Sequence, residues 1–323
     1  MMGLRRLSPQ AIRSRPSGSP EVKTESGQEI GGVTDHISYP PLNTPKQVAE
    51  GVWIVDAEPV HPGGIPLPIR MTVLRLAGGG LLLHSPVPYR PSLHRALEAL
   101  GRVEHFVAPS VGHWMFLQDW QAACQNAITW AVPGLKDRGQ VRRSGVRIDA
   151  ELSNKPPRIW TGEIDQVLVK GPVFKEVCLF HRPSRTLLLT DLIINLEGDL
   201  LPVGPRTLAR VLGIVAPNGK APLYLRLLLR MNHREVALAA WRLVAFNPDR
   251  VIFTHGLWFN RDATGQLRRS LSWLLGPVEG ERRLPHSSML PVALPRTSTV
   301  LAAAALLGLV AVVAYRRQRR PDV

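Results

Sequence analysis

Cysteine, acidic residues and internal repeats are scarce in this chain of 323 residues. The 2 cysteines, Cys124 and Cys178, form no CxxC pair, which excludes a disulfide framework and predicts two buried thiols in a reducing compartment. No repeat of fixed period occurs, which excludes solenoids and propellers. No GxSxG motif occurs either, so nothing in the pattern supports a metal-free catalyst that uses Ser85 or Ser110.

The shortage of acid leaves 40 basic against 25 acidic residues and a net charge of +15. About half of the excess lies at the two ends of the chain, and no nucleic-acid-binding module carries the rest, so no nucleic acid partner is expected. Residues 1–20 contain four arginines and no acid. We predict that residues 1–47 form a basic arm that resembles a transit peptide for a mitochondrion or chloroplast; a plain disordered arm is the alternative.

The C-terminal sequence has the strongest membrane signal. Residues 297–315, TSTVLAAAALLGLVAVVAY, contain no charge, and a helix of that length spans about 28 Å, close to the hydrocarbon thickness of a bilayer. A basic tail, 316–323, follows, and a linker, 281–296, precedes it. We predict that residues 297–315 form a transmembrane helix and that the protein is a single-pass membrane protein with the membrane as its binding partner. The alternative is that this segment is a buried core helix.

Between the ends, residues 48–280 are predicted to form one domain of the α/β class, because short β-branched runs alternate with segments of helical periodicity. LAGGGLL and HRPSR are predicted to be hairpin turns. The predicted strands are 52–56, 69–76, 80–85, 104–108, 127–132, 165–170, 174–181, 185–191 and 250–255, and the predicted helices are 92–101, 114–124, 207–215, 223–231, 235–246 and 267–275.

Polar side chains end several of these apolar runs, which is where α/β proteins place their ligands. Imidazoles and carboxylates are ligands for zinc or iron, and one Zn or Fe ion is the cofactor they could hold. Each residue alone is commonly structural, as a satisfied histidine or a cap. The remaining histidines, including His94 and His105, are predicted to be surface or packing residues. The candidate site residues are His84, Ser85, Ser110, His113, Glu176, His181, Thr190, Asp191, Asn195, Thr254 and His255.

The order of these motifs resembles a known superfamily. LLLHSP, VEHFVAPSVGHWMF, KEVCLFHRPSRTLLLTDLIIN and RVIFTHG occur in sequence, and the region from about 50 to 276 resembles the metallo-β-lactamase-like fold. It is most similar to a divergent branch described as a domain of unknown function. The resemblance implies an αββα sandwich with its site along one edge of the sheets.

The resemblance also implies a depleted ligand set. Asp191 stands where the superfamily has its metal-bridging acid, and His255 keeps a ligand histidine. The HxHxDH motif is replaced by a loop with Ser110 and only His113, a Gly-Pro pair stands in place of a Gly-His, and His84 replaces an early acid. His113, Asp191 and His255 could therefore hold one metal ion but not two.

Two hypotheses follow. The first is a membrane-anchored, degenerate domain that acts as a binding or scaffold module for an unknown small molecule or protein. The alternative is a mononuclear metal-dependent hydrolase of an ester, amide or thioester, in which His113, Asp191 and His255 bind the metal and water is the nucleophile.

Overall fold

The computed structural model describes residues 37–62 and 66–276. Residues 1–36 of the predicted arm lie outside the described residues, as do the predicted linker, membrane span and basic tail of residues 281–323. Within the described ranges, no helix has the length and apolar composition needed to cross a membrane. The folded part begins before residue 48, because Ile37 and Ser38 of the predicted arm are buried.

The described residues form a mixed α/β fold with a seven-stranded and a four-stranded sheet. The first sheet keeps its strands in chain order, and the second has the order β11-β10-β9-β8. The first contains β1 (Lys46–Ala49), β2 (Val52–Val60), β3 (Leu67–Arg75), β4 (Leu81–His84), β5 (Val103–Ala108), β6 (Ile128–Ala131) and β7 (Ala150–Glu151). The second contains β8 (Ile164–Lys170), β9 (Lys175–His181), β10 (Thr186–Leu188) and β11 (Arg250–Ile252).

The helices lie between and after these strands. Each strand and helix predicted from periodicity has a counterpart in the structure, while β1, β7 and α3 were not predicted because they are short and weakly patterned. The helices are α1 (Pro91–Glu98), α2 (Leu117–Ala123), α3 (Gly139–Ser144), α4 (Val203–Leu212), α5 (Leu223–Leu229), α6 (His233–Ala245), α7 (Ala263–Ser270) and α8 (Ser272–Leu275).

The second sheet is buried on both faces. Its strands alternate, so that Val177 and Leu179 of β9 join the core shared with the first sheet, whereas Cys178 and Phe180 join a second core. The first core also contains residues of α1 and α2, and the second contains residues of α5 to α8. The two sheets therefore pack face to face, with helices against the outer side of each.

Strand direction decides which residues meet at the sheet edge. β10 pairs with β11 in parallel, so the segments after both strands leave at the same edge. β9 runs antiparallel to β10, which brings its beginning to that edge and its end to the opposite one. The chain after β10 and β11 contains Asp191 and His255, and the beginning of β9 contains Glu176.

Candidate metal centre

Three predicted ligands converge at this edge. The Nε2 atoms of His113 and His255 lie 3.3 and 3.4 Å from the same oxygen, Oδ1 of Asp191. One nitrogen or oxygen atom from each of the three residues lies within 4.8 Å of the others. Two imidazoles facing one carboxylate oxygen either share protons with it or bind a cation between them. The three-residue set is the one that the sequence predicted.

Each imidazole is held through its other nitrogen. Nδ1 of His255 donates a hydrogen bond to the carbonyl of Pro68 over 2.8 Å, which leaves Nε2 with a lone pair when the ring is neutral. Nδ1 of His113 lies 2.6 Å from Oγ of Ser85. A partner at the far nitrogen is the usual way in which a protein fixes the tautomer and orientation of a metal-binding histidine.

Glu176 fixes the backbone around Asp191. Its buried carboxylate accepts hydrogen bonds from the backbone N–H groups of Thr190, Asp191 and Leu192 over 2.6, 2.9 and 3.0 Å. Burial, together with the Asp191 charge, raises the pKa of Glu176 to about 7 despite these donors. Glu176 therefore positions the loop that carries Asp191, and its carboxylate oxygens are occupied by backbone N–H groups.

Asp191 is the charge at the centre of the site. Burial raises its pKa, but the facing His113 and His255 outweigh burial and hold that pKa well below the ordinary range. Ser110 donates a hydrogen bond to Oδ2 over 3.0 Å, which leaves Oδ1 facing the two imidazoles. Ser110 therefore orients the carboxylate of Asp191.

The loop that carries His255 requires a glycine. Gly256 has φ +93°, and a Cβ there would lie 2.2 Å from the carbonyl oxygen of Asn195. Asn195 holds the same loop, since its backbone N–H donates to the carbonyl of His255 and its Nδ2 donates to that of Leu257. The predicted edge residue Asn195 thus has a structural role in placing His255.

Arg70 is a residue of the site that sequence reasoning missed. Its Nη1 donates to the carbonyls of Phe253 and Gly256 over 3.1 and 2.8 Å, and its Nη2 lies 2.8 Å from Oδ1 of Asp56. Arg70 and Asp56 are cross-strand partners in β3 and β2, and both are buried. Opposite charges inside two adjacent apolar strands were the available signal, because such charges are buried only in pairs.

Two predicted edge residues have buried polar atoms without a partner. Both ring nitrogens of His84 and the hydroxyl of Thr254 have no hydrogen-bond partner among the described residues. Burial, with a smaller contribution from His113, lowers the pKa of His84 to about 3, so its ring is neutral. Unpaired buried groups are costly and commonly mark a site that binds water or an ion.

His181 does not join the site. It ends β9 at the opposite edge, where Nδ1 lies 2.7 Å from Oγ of Ser184 and Nε2 lies 3.8 Å from Oε1 of Glu163. Thr186 is its cross-strand partner, five positions before Asp191, which corresponds to roughly 16 Å along a strand. The grouping of His181 with the other candidates was wrong, because the antiparallel β9 carries its end away from the site.

A pocket of about 320 Å³ opens over the three ligands. Its walls are mostly apolar, and α5, which the sequence placed against the core or a membrane surface, contributes one of them. Ser85, which adopts φ +56°, also lines it. The apolar wall residues include Ile69, Val87, Met115, Phe174, Leu225 and Leu228.

Comparison with known proteins finds a family model that matches part of the chain. Residues 50–208 match the model of the family described as "Domain of unknown function (DUF4336)". Among curated proteins, none matches the sequence.

Solved structures of the metallo-β-lactamase fold and of flavodiiron cores are similar to the chain. Rubredoxin oxygen:oxidoreductase from Desulfovibrio gigas has a TM-score of 0.51 at 10% identity, over 71% of this chain and 61% of that one. The metal-soaked Flv1 flavodiiron core from Synechocystis sp. PCC6803 also has 0.51 at 10% identity, over 72% and 60%. A metallo-β-lactamase from Pontibacter korlensis has 0.48 at 14% identity, over 72% and 99%. At 10% identity, the two structures with a TM-score of 0.51 show similarity of the fold alone.

Proposed function

We propose that the protein is a mononuclear metal-dependent hydrolase of a small, neutral ester, thioester or amide with an apolar acyl group. His113, Asp191 and His255 would hold one Zn²⁺ or Fe²⁺ ion. The observation that supports this proposal is the convergence of two Nε2 atoms and one carboxylate oxygen on the floor of an apolar pocket. A binding or scaffold module has no need for such a convergence, so we now favour the hydrolase over that hypothesis.

The donor set fits a catalytic rather than a structural metal. Three protein ligands that include histidine and a carboxylate leave coordination positions open, whereas structural zinc sites are closed by four. Catalytic metal sites also need each ligand histidine to be held through the ring nitrogen that does not bind the metal. The Nδ1 atoms of both His113 and His255 have such partners. An ion held there would supply Lewis-acid activation of a carbonyl group and of water.

The protein's own residues would orient the reacting groups. His255, fixed by Pro68, and His113, fixed by Ser85, present their Nε2 atoms to the pocket floor. Asp191, held by Ser110 and by the loop that Glu176 binds, keeps its charge because its pKa is low. The apolar walls would exclude bulk water and so strengthen the electrostatic interactions on the floor.

The pocket favours an uncharged substrate. Among the described lining residues, Arg70 is the one arginine or lysine, and it is already paired with Asp56. An anionic substrate would find no free cation on these walls, and burying an unpaired carboxylate or phosphate is unfavourable. A neutral substrate with an apolar acyl group satisfies both the walls and the polar floor.

A metal-free serine hydrolase is the second candidate, because Ser85 lies 2.6 Å from His113 and His113 faces Asp191. That order resembles a catalytic triad. In nucleophile-elbow serine hydrolases, the backbone N–H of the residue after the nucleophile helps to form the oxyanion hole. Here the residue after Ser85 is Pro86, and proline has no backbone N–H. We therefore assign Ser85 to the orientation of His113.

Membrane anchoring is a separate part of the proposal. The uncharged segment 297–315, followed by the basic tail, supports a single membrane span. The basic N-terminal arm supports a mitochondrion or chloroplast as the location. Fluorescence microscopy with an internal tag, combined with carbonate extraction, tests both points independently of the catalytic proposal, and extraction of the protein by carbonate would contradict the anchor.

The experiment that tests the hydrolase uses the full chain and a series of p-nitrophenyl esters of neutral acyl groups. We expect hydrolysis that a chelator abolishes and that added Zn²⁺ or Fe²⁺ restores. Ser85→Ala should keep metal-dependent activity at a reduced level, and a fluorophosphonate probe should leave Ser85 unlabelled. Hydrolysis that resists chelation and disappears in Ser85→Ala would support the serine hydrolase instead, and absence of both metal and hydrolysis would support the binding module.

A further inference from the structure

Helix α4 has an exposed apolar face. Val203 and Val211 are 80% and 64% exposed, and Leu208 is 44% exposed. Because an α-helix turns about 100° per residue, these three side chains share one side of α4 with Gly204 and Thr207. Ala209, on another side, is the buried residue of the helix. A soluble helix normally turns its apolar face inward, so α4 presents the reverse arrangement.

The exposed face lies beside the pocket. α4 contacts α5, whose Tyr224, Leu225 and Leu228 line the pocket. The small core beneath α4 contains Ile194, and Leu67 packs against it; both residues also line the pocket. The apolar face and the pocket wall are thus built on the same short segment of the chain.

The segment around this face is strongly basic. Residues 198–234 contain six cations, Arg206, Arg210, Lys220, Arg226, Arg230 and Arg234, against a single acid, Asp199, which gives a net charge of +5. Arg210 lies on the flank of α4, next to its apolar face, and Arg206 lies beyond it, where Asp199 and the carbonyl of Leu201 hold its guanidinium. Apolar side chains bordered by arginines are the composition of helices that lie in the interface of an anionic bilayer.

We propose that α4 docks on the surface of an anionic membrane, with Val203, Leu208 and Val211 in the interfacial layer and the flanking arginines at the lipid headgroups. The charge argues for this occupant over a second copy of the chain, because two copies would bring like-charged segments together. The proposal does not depend on the hydrolase activity. It would place the entrance of the apolar pocket close to the lipid.

The test uses the full chain in phosphatidylcholine vesicles prepared with or without phosphatidylserine. A polarity-sensitive fluorophore is attached in a Cys124→Ser background to Val203→Cys or Val211→Cys, and to Leu238→Cys as the matched control. Leu238 lies on α6 and, at 59% exposed, is comparable to Val211. With phosphatidylserine, we expect a blue shift and a several-fold drop in iodide quenching at positions 203 and 211 but not at 238.

Two further variants test the cause of that protection. Replacing Val203, Leu208 and Val211 together by serine should abolish the protection of a label at Thr207→Cys, while the melting temperature stays unchanged because the replaced side chains are exposed. Arg210→Glu with Arg230→Glu should remove the phosphatidylserine dependence.

Other occupants would produce different results. Protection in buffer that contains neither vesicles nor detergent, at a level that does not change with protein concentration, would mean that another part of the chain, such as residues 297–315, covers the face. Protection that rises with protein concentration in the absence of lipid would mean a second copy. Equal protection at position 238 would mean that the predicted membrane anchor holds the whole domain close to the lipid, without specific docking of α4. Each of these outcomes, and absence of protection, would overturn the proposal.

Discussion

Two histidine–carboxylate clusters lie at opposite edges of the four-stranded sheet. At one edge, His113 and His255 face Asp191 beneath a pocket. At the other, His181 contacts Glu163 and Ser184 at a hairpin turn. Both clusters combine imidazole, carboxylate and serine hydroxyl, and burial lowers the pKa of His181, so residue types alone do not separate a site from a structural contact.

The difference is in how the residues are assembled. The cluster around His181 is local, because Ser184 belongs to the same hairpin and Glu163 immediately precedes the adjacent strand β8. The cluster around Asp191 unites loops that follow strands of both sheets and has two converging imidazoles instead of one. We infer that convergence over long sequence separations, under a pocket, distinguishes the functional edge.

The largest effect is expected from the central carboxylate. Asp191→Asn keeps the shape of the side chain but removes the charge that a cation requires, so ester hydrolysis by the full chain should fall to the uncatalysed background. Glu163→Gln makes the same chemical change in the opposite cluster and should leave kcat/KM unchanged. Steady-state kinetics of the two variants measure this difference. Loss of activity in both variants, or in neither, would contradict the assignment of catalysis to the Asp191 cluster alone.

The buried Arg70 should dominate stability at the functional edge. Arg70→Met leaves Asp56 with only Lys46 and removes two donors from the loop that carries His255. Breaking a buried ion pair from one side costs about 3–5 kcal/mol of unfolding free energy. Arg182→Met removes the exposed pair with Asp165 near the other cluster and should change stability little. Urea denaturation measures both, and equal losses would show that Arg70 has no special role.

Two glycines allow a comparison of backbone strain with steric conflict. Gly256 and Gly162 both have positive φ, but an added Cβ would collide with Asn195 at Gly256 and would meet nothing within 4 Å at Gly162. Gly162→Ala should therefore cost about 1 kcal/mol from strain alone, and Gly256→Ala about 2 kcal/mol or more. Thermal unfolding ranks the two variants. The reverse order would show that the His255 loop shifts freely.

At neutral pH the smallest effect is expected from His84, and this effect grows as the pH falls. The pKa of His84 falls from 6.5 to about 3 because the ring is buried near His113. The unfolded chain therefore takes up the proton first, and stability is lost as pH falls below 6.5, by at most about 1.4 kcal/mol per unit from this group. His84→Leu should flatten the stability profile between pH 5 and 7. An unchanged profile would exclude His84 as the source of acid sensitivity.

Much of this comparison could be predicted from the sequence. Strand and helix positions follow from hydrophobic periodicity, and His113, Asp191 and His255 stand in the loops that follow apolar runs. His181 stands at the end of a run as well, and only the antiparallel direction of β9 sends it to the other edge. Glu176 was among the predicted edge residues, but its contact with three backbone N–H groups depends on how the loop folds.

The roles of Arg70 and of the pocket wall formed by α5 could not be predicted in the same way. The pairing of Arg70 with Asp56 depends on the register between β2 and β3. That register is set by packing and by the hairpin geometry, and neither can be predicted from the identity of a single residue. The wall formed by α5 depends on how one helix packs over the sheet edge, and its periodic pattern is equally suited to a core or a membrane surface.

The central claim is that His113, Asp191 and His255 hold one metal ion, and metal content tests it most directly. The full chain, expressed in medium that contains zinc, iron and manganese, is purified without chelators and analysed by inductively coupled plasma mass spectrometry. We predict one equivalent of metal in the wild type and in His181→Ala, and none in His113→Ala or His255→Ala, with folding checked by circular dichroism. A metal-free wild type, or metal retained in His255→Ala, would contradict the account.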